Sequence, residues 1–214
     1  MNRLRIIKIG RILIVVDPNL DFTEGGALAV LGGAALMAKI NALMATGKYD
    51  LIIVTQDWHP AGHYEFASRH GLEPFALIER NGVIQVVYPD HSIQNTAGAK
   101  IHPLLDMSQV ALILRKGMNI DVASHSAFYS GEDQKGNRYP TGLAGYLSAF
   151  DFQAIDFVGL AFDVCVKDSA LDAKVEYPDK IISVLYEYCA SVNPGNDAET
   201  VRELQLAGVN VVGY

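Results

Sequence analysis

Aspartate, histidine, lysine and cysteine each stand directly after a short apolar run in this 214-residue chain, where a buried strand would deliver them to its end. Asp17 follows the run ILIVV that begins at Ile12. A carboxylate there is either a general base or a turn cap within VDPNLDF. The run LIIVT from Leu51 is followed by Asp57 and His59, two residues apart. In an extended segment such residues point the same way, so a carboxylate and an imidazole can converge on one metal. His91 follows the run VIQVVY from Val83, and His63 stands four residues after His59. Two histidines and one carboxylate form a frequent ligand set for Zn, Fe or Mn with positions left open, although Asp-x-His alone is a weak signal. Lys116 follows VALIL from Val110 and is either solvated or partly buried beside a carboxylate or a thiol. Cys165 follows AIDFVGL and AFDV, near the expected start of a helix. A helix N-terminus and a nearby lysine both stabilise a thiolate, and the unpaired N–H groups there can hold an oxyanion. The plainer alternative is an inert buried cysteine. Cys189 comes after YEY at the end of another run and is expected to be structural.

These residues need elements to hold them. Seven short runs, starting at Ile12, Leu51, Val83, Val110, Ala154, Lys180 and Val209, are apolar and β-branched almost without interruption. Such runs suit strands buried on both faces of a parallel sheet rather than one-sided strands. Between most of them lie helix-length stretches. Residues 27–46 end at Gly47, a plausible C-cap, and residues 164–176 form a second stretch. Residues 196–207 open with Asn196 and Glu199 three apart, like a capping box, and stop at Gly208. Strands alternating with helices predict an α/β fold with a mostly parallel central sheet. The polar stretch SGEDQKGNRYP from Ser130 is a loop and not a boundary, so residues 1–214 are expected to form a single domain. Sites in such sheets lie at the carboxyl ends of the strands, which is where the residues above stand.

Composition removes several classes of function. Half of the residues are hydrophobic and 19% are charged, which excludes intrinsic disorder. A net charge of -7 argues against nucleic acid as the main partner. Two cysteines make no disulfide framework, so a reducing, cytoplasmic setting is expected. The apolar run after the basic N-terminal stretch stops at Asp17, too short for a secretory signal, and no run is long enough to span a membrane. The sequence has no G-x-G-x-x-G, Walker-type, G-x-S-x-G or H-E-x-x-H motif. The glycine-rich TEGGALAVLGG from Thr23 is therefore expected to lead into a helix rather than cradle phosphate.

Five segments, taken in order and spacing, carry a resemblance. They are VVDPNLDFTEGGALAV at Val15, TQDWHPAGHYEFASRHG at Thr55, YPDHSIQNTAGAKIHPLL at Tyr88, RKGMNIDVASHSAF at Arg115 and GLAFDVCVKDSALDA at Gly159. The sequence resembles the nicotinamidases of the isochorismatase-like cysteine hydrolases, and the DWHP and PDH segments are similar to their metal-binding branch. The resemblance implies a three-layer α/β/α domain that hydrolyses nicotinamide, and pyrazinamide as well, through a thioester. It implies Asp17, Lys116 and Cys165 as catalytic triad and the N–H groups of Ala161 and Cys165 as oxyanion hole, with a cis Leu160–Ala161 peptide. It implies Asp57, His59 and His91 as ligands of a divalent metal, zinc first and iron or manganese as alternatives. Phe22 and Tyr88 match the aromatic walls around the pyridine ring. Leu20, His125 and Val164 depart from the family pattern at or near the pocket, where an Asn, a Tyr and an aromatic residue are usual. Other readings are a relative acting on another small amide or an isochorismate-type vinyl ether, or an inactive binding subunit. A homo-oligomer is left open.

Overall fold

The computed structural model describes residues 5–214, so the first four residues of the basic N-terminal stretch, on which the absence of a signal was partly argued, lie outside the described residues. Six strands run parallel in one sheet, in the spatial order β10, β9, β8, β2, β3, β6. They are β2 (Arg11–Val16), β3 (Leu51–Asp57), β6 (Leu112–Lys116), β8 (Ala154–Leu160), β9 (Ile181–Ala190) and β10 (Asn210–Val212). A two-residue β1 (Ile7–Lys8) pairs with β7 (Phe150–Asp151) outside that sheet. The chain enters at the centre with β2, adds β3 and β6 outward, then returns to place β8 on the other side of β2. Where the order reverses, the loops after β2 and β8 leave in opposite directions and open a crevice at the strands' carboxyl ends.

Alternation along the strands feeds two cores. Ile12, Ile14 and Val16 of β2 pack with Ile155 and Phe157 of β8 against Ala170 and Ala173 of α4 (Lys167–Glu176) and Val201 and Leu204 of α5 (Asp197–Leu206). Leu13 and Val15 pack with Val158 and Leu160 against Leu36, Met37, Ile40 and Met44 of α1 (Gly33–Met44). Both faces of β2 are therefore sealed, with each fully buried aliphatic side chain contributing roughly 1.5–3 kcal/mol. At the crevice Gly159 pairs with Val16 at φ +114°, and a Cβ there would sit 2.2 Å from the Val16 carbonyl oxygen. Only glycine lets the two central strands close up at this point.

Several expected elements differ. The run from Val83 is not in the central sheet: β5 (Val83–Val86) forms an exposed antiparallel hairpin with β4 (Leu77–Arg80). Asn81 and Gly82, at φ 54° and 77°, supply the two-residue turn that such a hairpin needs. The helix expected over 27–46 begins only at Gly33, because Gly32 turns left-handed at φ 82°, and it ends at Met44 with Ala45 as its C-cap, so Gly47, at φ 70°, stands beyond the cap it was expected to form. Helix α4 starts at Lys167 behind a π-helical turn, Phe162–Val166, that carries Cys165. Asn196 precedes α5 without a side-chain cap, so the capping box does not form there. Cys189 lies inside β9, not after it. The short α2 (Ala67–His70) and α3 (Leu143–Leu147) complete the helices.

Candidate active site

Four of the strands end in the crevice, and each ends on a residue with chemistry. Asp17 follows β2 in the left-handed region at φ 45°, Asp57 ends β3, Lys116 ends β6 and Cys165 lies just past β8. Thr55 pins Asp17 twice: its hydroxyl accepts the Asp17 N–H at 3.0 Å and donates to Oδ1 at 2.7 Å. Lys116 is 1% exposed, and its Nζ lies 2.8 Å from Asp17 Oδ2, 2.5 Å from Asp57 Oδ1 and 3.7 Å from Cys165 Sγ. It also donates to the Ser124 carbonyl at 2.9 Å. One ammonium thus stands between two buried carboxylates and a thiol.

Burial sets the proton affinities here, and the charges modify them. Asp17 is pushed up to about 6 by burial, with Lys116 pulling the other way. Burial would raise Asp57 too, but Lys116 and His59 hold it well below the carboxylate range. Lys116, despite burial, is held well above its usual value by Asp17 and Asp57. Burial also pushes the Cys165 thiol well above its usual value. The expected thiolate is therefore not the resting form, because the lysine that would stabilise it is committed to two carboxylates. Cys165 rests as a thiol beside a base that titrates near neutrality.

The second cluster fits a divalent metal. Asp57, His59 and His91 offer ligand atoms within 4.8 Å of one another, all buried. His59 Nδ1 lies 3.0 Å from the Gly117 carbonyl and His91 Nδ1 lies 2.8 Å from the Pro89 carbonyl. Those contacts put the ring proton on Nδ1 and turn the Nε2 lone pairs inward, the arrangement that metal-binding histidines use. His59 Nε2 is buried and has no hydrogen-bond partner among the described residues. Gly117 permits this packing, since a Cβ there would lie 2.4 Å from the His59 ring. Burial keeps His91 and His63 below their usual values, whereas at His59 burial is outweighed by the adjacent Asp57, which raises the ring's proton affinity. His63 stacks on His59 with centroids 4.1 Å apart, and its own Nε2 is buried without a partner among the described residues.

Between the two clusters lies a narrow pocket. Phe22, Tyr88 and His91 wall one side, Ala161 and Cys165 floor it, and His125 and Glu65 close it. The Leu160–Ala161 peptide is cis, as expected. Cys165 sits in the first turn of the π segment, whose leading N–H groups are the ones short of intrahelical partners. Leu20 does not line the cavity: its N–H donates to the Lys100 carbonyl at 2.8 Å. The loop that an Asn at this position would serve is held instead by its neighbours. Asn19 Nδ2 donates to the Asp57 carbonyl, Ser92 Oγ and the Ala99 carbonyl, and the Asp21 carboxylate accepts the Ser92 N–H.

Sequence reasoning missed Glu65, Leu28 and Val192 in the cavity wall. Glu65 stands two residues after His63, so the same alternation that paired Asp57 with His59 points to it. His125 is held at both nitrogens, 2.5 Å from Glu65 Oε1 and 3.1 Å from Asp168 Oδ2. Burial works against its charge, but the two carboxylates outweigh it and raise His125 to about 10. Its folded value thus exceeds the usual 6.5, so the stability it lends is complete below that pH and lost as pH rises through about 10. Urea unfolding should show wild type losing stability between pH 7 and 10 relative to His125→Phe. The difference should reach a few kcal/mol at most, because screening trims the interactions of a ring that is 29% exposed. Parallel declines in both proteins would remove the ion pairs from the account.

No family model matches the chain. Individual proteins do. It is 37% identical over 206 residues to the nicotinamidase of Escherichia coli, covering 94% of this chain and 93% of that one. It is 43% identical over 162 residues to the nicotinamidase of Acinetobacter baylyi, covering 75% and 73%. Among solved structures, a nicotinamidase/pyrazinamidase from Acinetobacter baumanii superimposes with a TM-score of 0.86 at 35% identity, over 95% of both chains. The yeast nicotinamidase Pnc1p bound to the inhibitor nicotinaldehyde gives 0.84 at 29% identity, over 95% of this chain and 100% of that one. The pyrazinamidase of Pyrococcus horikoshii in complex with zinc gives 0.75 at 27% identity, over 96% and 100%.

Proposed function

The chain belongs to the nicotinamidase family, and from that membership and the site's geometry we propose that it hydrolyses nicotinamide to nicotinate and ammonia through a thioester on Cys165. The observation that carries this reading is the Lys116 ammonium placed between Asp17 and Cys165 beside a pocket lined by Phe22, Tyr88 and His91. An amide is a poor electrophile with a poor leaving group, and covalent catalysis divides the task into two easier steps. Cys165 Sγ bonds to the carboxamide carbon as its proton passes to the Asp17 carboxylate. The N–H groups of Ala161 and Cys165 receive the oxyanion, each such donor being worth about 3–4 kcal/mol by analogy with measured holes. The C–N bond then breaks, and Asp17 returns the proton to the departing ammonia. Water next attacks the thioester and gives its proton to Asp17; the C–S bond breaks and the thiol is restored. An Asp17 that titrates at about 6 can accept and return a proton near neutral pH.

Asp57, His59 and His91 would hold a divalent metal, zinc in first place since a zinc-bound pyrazinamidase is among the structural relatives. Bound there, a metal would supply a Lewis-acid anchor that helps to hold the substrate beside Cys165. Phe22 and Tyr88 are the ring's walls, and pyrazinamide, a ring carboxamide of the same shape, is a second substrate. A thiol nucleophile suits a reducing, cytoplasmic setting.

An ammonia-release assay on nicotinamide, with and without chelator, tests the reading. Release should be rapid in the metal-loaded protein and fall at least about ten-fold after chelation, returning with zinc. In His59→Ala, bound metal should drop below half of the parent stoichiometry and KM should rise about ten-fold or more. No release from nicotinamide by metal-loaded protein would remove the proposed substrate. Unchanged metal content and kinetics in His59→Ala would remove His59 from the ligand set.

A further inference from the structure

Glu65 is a buried carboxylate that the hydrolytic steps above do not use. It is 4% exposed, and its polar contacts among the described residues go to His63, Ser124 and His125, not to Cys165 or Lys116. Burying a carboxylate costs several kcal/mol unless it is paired and hydrogen-bonded, so its contacts indicate what it holds in place. Oε1 lies 2.5 Å from His125 Nε2 in the cavity wall, and Oε2 accepts the Ser124 N–H at 3.2 Å and lies 3.5 Å from His63 Nδ1.

The Ser124 peptide leads to the reacting atoms. Its carbonyl accepts from Lys116 Nζ at 2.9 Å, and its hydroxyl accepts the N–H of Gly117, the residue after Lys116. That carbonyl is the neutral acceptor on an ammonium otherwise shared by two carboxylates, so its position decides how far Nζ leans toward Cys165. On the other side, His125 is braced by Asp168, in the first turn of α4, three residues past Cys165. A continuous chain therefore runs from α4 through His125, Glu65 and Ser124 to Lys116.

We propose that Glu65 is a positioning residue for amide hydrolysis, setting Lys116 through the Ser124 peptide and the ring wall through His125. This rests on the proposed amide hydrolysis, but one of its readouts does not need the substrate. Glutamine at position 65 can still accept the Ser124 N–H through its carbonyl and can donate to a neutral His125, so it keeps the first arm and loses the ion pair of the second. Alanine loses both.

The test compares wild type, Glu65→Gln and Glu65→Ala, each loaded with zinc and checked for metal content. Ammonia release is measured with nicotinamide, and Cys165 alkylation by iodoacetamide is followed from pH 6 to 10. In Glu65→Ala, kcat should fall about 30-fold, within the range known for outer contacts of an active site. The alkylation profile should shift along the pH axis as Nζ is released from its place. Glu65→Gln should restore the wild-type alkylation profile and bring kcat to within about three-fold, with the loss appearing in KM. A folded Glu65→Ala with wild-type kcat and alkylation profile overturns the proposal. So does a Glu65→Gln that behaves like alanine, or one that matches wild type in KM as well as kcat. A rate loss that follows lost zinc overturns it too, by assigning Glu65 to the metal. If alanine does not fold, Glu65→Gln decides: wild-type alkylation with raised KM supports the proposal, and any other result overturns it. Should nicotinamide prove not to be the substrate, the alkylation profiles still answer for Glu65.

Discussion

Cys165→Ala should release no measurable ammonia from nicotinamide, a loss of at least about 10⁴-fold, as the removal of a covalent nucleophile requires. The size follows from the placement of the base. Asp17 is pinned by Thr55 and paired to Lys116, so it serves a proton at the cavity floor and has little freedom to activate water elsewhere. The fold should survive, since a single sulfur is removed from the cavity floor, at a cost of about 1–2 kcal/mol. Zinc content should stay at the parent level, because Cys165 stands outside the Asp57, His59 and His91 set. Calorimetry or urea unfolding, metal analysis and the ammonia assay together check the result. Turnover at the parent rate would mean that water attacks the amide directly, and the thioester would fall.

Lys116→Met should be almost as damaging to turnover and far more damaging to the fold. Methionine keeps the apolar stem but leaves Asp17 and Asp57, both buried, without the cation between them. Removing one partner from a buried ion pair typically costs about 3–5 kcal/mol. The sign of its pH dependence follows from Asp17, whose proton affinity burial already raises to about 6. Without Lys116 that affinity climbs further, so the variant should recover part of its lost stability as pH falls from 8 to 5. Wild type, in which Lys116 holds Asp17 to about 6, should gain less from this group over the same range. Urea midpoints across that window check this. A variant as stable as wild type at pH 8 would show that the two carboxylates do not depend on Lys116.

Much of this site could be found from residue order, for a simple topological reason. A doubly wound parallel sheet brings the residues after β2, β3, β6 and β8 to one edge, so Asp17, Asp57, Lys116 and Cys165 were visible as polar residues closing apolar runs. The parallel sheet itself was visible in those runs, because strands sealed on both faces lose their polar alternation. What escaped depends on contacts between distant segments. Asp168 carries no local mark of function and Glu65 only its spacing from His63, and the two become partners only when the loop bearing His125 lies between them. Val83–Val86 is as apolar as a central strand, yet the Asn81-Gly82 turn folds it back on β4, and that local turn outweighed composition. The state of the Cys165 thiol was also out of reach, since it depends on how many carboxylates share one lysine.

That sharing has a thermodynamic consequence. Asp57 belongs to the candidate ligand set and to Lys116 at the same time, and Lys116 is also paired with Asp17. Positive charge gathered at Asp57 loosens its claim on the ammonium and strengthens that of Asp17, which then releases its proton more readily. Linkage makes the exchange reciprocal: whatever ion affinity alters in the proton equilibrium of Asp17, protonation of Asp17 must return to the ion in equal measure. The half of the crevice proposed to orient a ring and the half proposed to break a bond therefore form one coupled equilibrium, joined at a single nitrogen atom.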